Sequence, residues 1–175
     1  MENYTFVENV KLNMSVASLN VGGTLTLRAT IEPYDATNQI VRWTSSNKVV
    51  ATVNNNGVVT ALAPGSTTII VATEDGGFTA TCTVTVIRQV TGITISPKQL
   101  LLTAGSKAVL TVFITPSDAS NQTVTWTSTN PAIATVDNNG VVTAIAEGTA
   151  YIRATTQQEP TRFDDCTVTV TKAIL

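Results

Sequence analysis

Apolar and polar residues alternate along most of this chain, in runs too short for helices. Leu25, Leu27, Ala29 and Ile31 share one face at period two, as do Thr67, Ile69 and Val71. Ala80, Cys82, Val84 and Val86 form a third such face. Turn-forming residues separate the runs: Gly22-Gly23, Pro33–Asn38, Asn54-Asn55-Asn56-Gly57 and Ala63-Pro64-Gly65. The alternation predicts strands at Val10–Leu12 and around Leu19–Val21, then over Thr24–Ile31, Ile40–Ser45, Val49–Val53 and Val58–Leu62. Two more run through Thr67–Val71 and Ala80–Val86. No segment holds the 3.6-residue period of a helix, and turn signals recur about every 8–12 residues, as in sandwiches. The chain reads as all-β.

The pattern occurs twice. Val41-Arg42-Trp43-Thr44-Ser45 returns as Val124-Thr125-Trp126-Thr127-Ser128, and Asn55-Asn56-Gly57-Val58-Val59-Thr60-Ala61 as Asn138-Asn139-Gly140-Val141-Val142-Thr143-Ala144. Between residues 31–62 and 114–145, 21 of 32 positions are identical, including both tryptophans of the chain. That length is a duplicated domain rather than a solenoid repeat. Domains at 1–88 and 89–175 follow. Ile93 and Ile95 answer Val10 and Leu12, and one residue inserted before the last strand sets Cys166 opposite Cys82.

Composition narrows the function. Charged residues make up 13% of 175, and the net charge is −2. Such a chain has no basic stripe to neutralise phosphates, so nucleic acid is excluded as a partner. No apolar run reaches the roughly 18–20 residues that span a bilayer, so this segment does not insert in a membrane. Met1–Phe6 carries neither the basic nor the apolar part of an export signal.

Several motifs together carry a resemblance. They are Ile-x-Pro-x-Asp-Ala-x-Asn-Gln-x-Val-x-Trp-Thr-Ser, Ala-Thr-Val, the Asn-Gly turn with Val-Val-Thr-Ala, and a closing Cys-Thr-Val-Thr-Val. In this combination the chain resembles the bacterial immunoglobulin-like group 2 family, over nearly its whole length. The resemblance implies two tandem Ig-like β-sandwiches with Greek-key connections. It also implies a place on surface adhesins, on secreted bacterial polysaccharide-acting or polysaccharide-binding proteins, or on phage structural proteins, hence an extracellular or cell-surface location. It implies no shared catalytic residue.

The candidate chemistry agrees with a module. Each copy has one tryptophan and one cysteine, so no bridge can cross its sheets as in antibody domains. Cys82 and Cys166 are expected to be buried thiols, and Trp43 and Trp126 to fill the middle of their cores. A chain with no His offers neither a base for a cysteine nucleophile nor a zinc constellation. Glu74-Asp75 and Asp164-Asp165 lack the pattern of a calcium loop and read as solvated loop ends. No cofactor and no catalysis are expected.

The loops Pro33–Gln39, Asn54–Gly57 and Glu74–Phe78 are expected to gather at the outer tip of the first domain. There Tyr34, Asp35, Asn38 and Phe78 are candidate ligand-binding residues for a surface polysaccharide or another protein. The plainer alternative has Phe78 capping the core and Tyr34 covering Pro33. About three residues around Arg88-Gln89 join the domains, too few and too poor in Gly and Ser for a flexible linker. The expected function is a monomeric, semi-rigid spacer or stalk. A binding module using the free tip and a phage structural protein are the alternatives.

Overall fold

In the computed structural model, which describes residues 4–172, the chain divides into two compact units, one ending at Arg88 and the other beginning at Gln89. The first unit holds nine strands: β1 (Asn9–Leu12), β2 (Val16–Asn20), β3 (Thr24–Thr26), β4 (Ala29–Glu32), β5 (Val41–Ser45), β6 (Ala51–Val53), β7 (Val58–Ala61), β8 (Gly65–Thr73) and β9 (Thr79–Ile87). The second repeats them as β10 (Gly92–Ser96), β11 (Gln99–Thr103), β12 (Lys107–Val109), β13 (Thr111–Thr115), β14 (Val124–Ser128), β15 (Ala134–Val136), β16 (Val141–Ala144), β17 (Gly148–Thr156) and β18 (Phe163–Thr171).

In each unit a four-stranded sheet (β2-β9-β8-β5, β11-β18-β17-β14) faces a three-stranded one (β3-β7-β6, β12-β16-β15), and the opening strand pairs with the fourth. All neighbours are antiparallel except β2 with β9 and β11 with β18, which run parallel. The chain crosses between sheets from β5 to β6 and returns from β7 to β8, a Greek-key course. These are two tandem Ig-like β-sandwiches.

Period-two alternation explains the core. In the first unit Leu27, Ala51, Val59 and Ala61 meet Ile69, Cys82, Val84 and Val86 of the facing sheet. In the second, Leu110, Ala134, Val142 and Ala144 meet Ala150, Ile152, Cys166, Val168 and Val170. Removing this apolar surface from water is the main stabilising term.

Two expected strands are broken in the structure. The run Thr24–Ile31 splits at Leu27-Arg28, where β3 pairs with β7 and β4 with β1. There Leu27 N donates to Gly57 O (2.9 Å), while Asn13 bridges the gap, its Oδ1 accepting from Arg28 N (2.8 Å). The apolar alternation continues through the break, so only the hydrogen bonds reveal it. Likewise Val49–Val53 begins as a helical turn: Val50 N and Ala51 N both donate to Asn47 O, and Val49 N donates to Asn47 Oδ1. That turn leaves Val49 in solvent and drives Val50 inward.

The tryptophans also differ from expectation. Trp43 and Trp126 are half-buried and pack against the core from its margin, on edge strands β5 and β14. Aliphatic residues and the cysteines hold the middle instead. Each indole rests on a glycine of the β6–β7 or β15–β16 turn. A Cβ on Gly57 would stand 3.0 Å from Trp43 Cζ2, and one on Gly140 2.9 Å from Trp126 Cζ2. Both glycines have positive φ, 75° and 77°.

Candidate functional site

Two of the three loops expected at the tip of the first unit meet directly. Because β5 and β8 are antiparallel with Val41 opposite Thr73, residues 33–40 and 74–78 emerge side by side. Glu74 N donates to Ile40 O (2.9 Å), and Arg42 Nη2 donates to Glu74 Oε1 (2.8 Å). Arg42, aided by Asn38, holds the Glu74 carboxyl below its ordinary range. The third loop flanks them, with Asn55 beside residues 40–44 along a surface groove of about 570 Å³.

The four candidate residues have different surroundings. Tyr34 stands 88% exposed and does not fold down over Pro33. Asp35 is exposed. Asn38 is half-buried and closes its own loop, its Oδ1 accepting from Ile40 N (3.0 Å), while Gln39 Nε2 donates to Tyr34 O (2.7 Å). Phe78 lies outside the core cluster, with its ring against Gly76, where a Cβ would sit 2.4 Å from Cε2. Tyr34 and Phe78 are thus surface aromatics on adjoining loops.

Sequence reasoning missed two more aromatics at this end. Thr5 N donates to Thr37 Oγ1 and Thr37 N to Thr5 O, both at 2.9 Å, which draws Tyr4 and Phe6 beside the 33–40 loop. Their ring centroids lie 4.8 Å apart and both rings are exposed. The alternation Tyr4-Thr5-Phe6-Val7 was the available signal, since it places both rings on one side of an extended segment.

Glu74-Asp75 lies in the β8–β9 loop with Glu74 exposed, as expected, but Asp75 is half-buried and has a partner. Asp75 Oδ2 accepts from Val7 N (3.0 Å) and so ties the amino-terminal segment to the β8–β9 loop. In the second unit Gln158 Oε1 accepts from Val90 N (2.9 Å) in the same place. The neighbouring pair changes in parallel, from Arg42–Glu74 to Thr125 with Gln157 (3.1 Å). The contact therefore needs an acceptor and not a charge. Asp75→Ala should cost about 1–3 kcal/mol by leaving the Val7 amide unpaired, whereas Asp75→Asn should keep most of the stability. Hydrogen exchange at the Val7 amide checks this, and equal protection in both variants would contradict it.

Asp164 and Asp165 lie within β18 rather than in a loop. Arg153 makes a two-pronged pair with Asp165 (2.8 Å each) and holds that carboxyl below its ordinary range. Burial works to raise Asp164, but Lys98 and the Ile95 amide outweigh it and keep that carboxyl low too. With their oxygens so occupied, these acids are structural. Among the described residues no group of three or more His, Cys, Asp or Glu is placed to hold a metal ion. Cys82 and Cys166 are fully buried free thiols, and burial pushes both above the ordinary thiol range. Thiolate, the reactive form, is thereby disfavoured.

Fold and packing define a tandem of Ig-like modules. The chain belongs to the family of bacterial Ig-like domains (group 2), whose model matches residues 6–84 and again 89–172. An Ig-like virion protein of Serratia phage KSP90 is 38% identical over 169 residues, covering 94% of this chain and 65% of the phage protein. An uncharacterized protein of Clostridium acetobutylicum is 33% identical over 166 residues, 94% of this chain but 17% of its own length. The chain thus spans less than two thirds of either relative. Among solved structures, protocadherin gamma B2 extracellular domains 3–6 align with 95% of this chain and 52% of their own, at a TM-score of 0.58 and 12% identity. That likeness is one of fold.

Proposed function

We propose that the chain is a non-catalytic structural module that spaces or displays other parts of an assembly on an extracellular surface. One observation carries this reading: what the two copies share is packing. The residues retained between them are the core aliphatics, the indole and its glycine, the buried thiol and the turn residues. At the same loops Tyr34 gives way to Ser117 and Glu74 to Gln157, Asp35 is kept as Asp118, and the retained Asn38/Asn121 and Gln39/Gln122 close their own turns through matching bonds to backbone.

Kinship with a phage virion protein, of which the chain covers 65%, supports a particle surface as the setting. Immunogold labelling of intact cells and of released particles, with antibody to the whole chain, tests the proposal. Gold is expected on an outer surface, and label confined to the cell interior would overturn it. The exposed rings Tyr4, Phe6, Tyr34 and Phe78 favour a second reading, in which this end grips another protein. Tyr34→Ala should then lower the gold density on assembled particles while leaving the melting temperature unchanged.

A further inference from the structure

The outer face of the β14-β17-β18-β11 sheet differs from its counterpart in a way the fold does not require. Strand register lays this face out in rows. Thr125, Thr155 and Phe163 form one row, Thr127, Arg153 and Asp165 the next, then Tyr151, Thr167 and Gln99, then Thr149, Thr169 and Leu101. In the first unit the same positions hold Arg42, Ala72 and Thr79, then Thr44, Ile70 and Thr81, then Thr68, Thr83 and Val16, then Ser66, Thr85 and Ser18. Both sheets have the same pairing and equivalent cores. The first face has its own ion-paired arginine, Arg42 with Glu74, but nothing to match the two aromatic rings and the amide of the second face, which the fold does not call for.

Three features of that face define a ligand. Tyr151 is 50% exposed and Phe163 59%, so Tyr151 and the part of the Phe163 ring that Arg153 does not cover are open to a ligand. Four residues separate their rows along the strands, about 13 Å at 3.3 Å per residue. The charges are internally matched: Arg153 pairs with Asp165 and lies over the Phe163 ring at 3.9 Å, and Lys98 pairs with Asp164. Beside Tyr151 runs a groove of about 510 Å³ lined by Gln99, Leu100, Leu101, Thr167 and Thr169.

We infer that this face binds a neutral polysaccharide chain, lying along β17 and β18 with sugar rings on Tyr151 and Phe163. The C–H face of a pyranose is apolar and slightly positive, so it suits the negative face of an aromatic ring. Hydroxyls on the sugar rim meet Thr167, Thr169 and Gln99, which offer both donors and acceptors. A polyanion finds no unpaired cation here, and a nucleic acid finds none for its phosphates. The inference is independent of where the protein is displayed.

Affinity electrophoresis of the full chain tests it, through gels holding hydroxyethylcellulose, xyloglucan or galactomannan, with alginate as the anionic comparison. At least one neutral polymer should retard the protein. Tyr151→Ala and Gln99→Ala should each weaken that retardation at least tenfold, with the second unit's melting transition confirming that both variants fold. Val16→Ala, at the exposed position of the first unit that matches Gln99, should leave it unchanged. No retardation by any neutral polymer, retardation by alginate alone, or retardation undiminished in folded Tyr151→Ala would overturn the inference.

Discussion

Gly57→Ala should remove a large share of the first unit's stability and leave the second intact. At φ 75° an L-residue is strained by about 1–2 kcal/mol. The new Cβ would also lie 2.3 Å from Leu27 O and 3.0 Å from Trp43 Cζ2. Neither neighbour can give way cheaply, because Leu27 is fully buried and its N donates to Gly57 O. Overpacking of this kind adds roughly 1–3 kcal/mol, for a total of about 2–5 kcal/mol. A unit of this size has on the order of 4–13 kcal/mol of stability in all. The buried thiols make the measurement, since Cys82 reports on the first unit and Cys166 on the second. In native buffer a thiol reagent should label Cys82 much faster than in the parent and leave Cys166 as protected as before. A Gly57→Ala protein that protects both thiols and melts within a few degrees of the parent would show that the turn can relax.

Trp43→Ala should be the next largest loss, about 3 kcal/mol, the low end of the range for large-to-small core changes. A half-buried indole at the sandwich margin leaves a gap that water can enter, so the cost falls below that of a fully enclosed ring. For a domain of this size that is a fall of roughly 12–24 °C in the first unit's melting temperature, read by calorimetry, with the second transition unmoved. The two sites should also be coupled. Adding Gly57→Ala to Trp43→Ala should cost less than adding it to the parent, because the clash with Cζ2 is gone while that with Leu27 O remains. Strict additivity would mean that the backbone contact alone sets the cost.

The sandwich was legible because its signals are local. Alternation placed Ile69, Val71, Cys82 and Val84 on core faces, and Asn-Gly marked the β6–β7 turn. That turn is built as its chemistry dictates, with Asn54 Oδ1 accepting from Asn56 N and Val58 N and Asp137 Oδ1 doing the same in the second copy. Features set by partners distant in sequence were not legible. The break at Leu27 depends on Asn13 and Gly57, and the fate of Asp75 on Val7, 68 residues away. Trp43 looked central because a large apolar residue in mid-strand usually is, but β5 turned out to be an edge. The tip aromatics were half visible: Tyr34 and Phe78 stand in marked loops, whereas Tyr4 and Phe6 reach the same end only through the Thr5–Thr37 pairing.

The parallel pairing of β2 with β9, and of β11 with β18, bears on how each unit meets a load. Tension applied at the two ends of a unit drags the early strand and the closing strand in opposite directions along their shared axis. Their hydrogen bonds then resist together as a block in shear, instead of opening one after another like a zip. Five residue rows, Val16–Thr83 to Asn20–Ile87, must slip at once in the first unit, and five more in the second. A fastening of that kind suits a part that is pulled on rather than pushed.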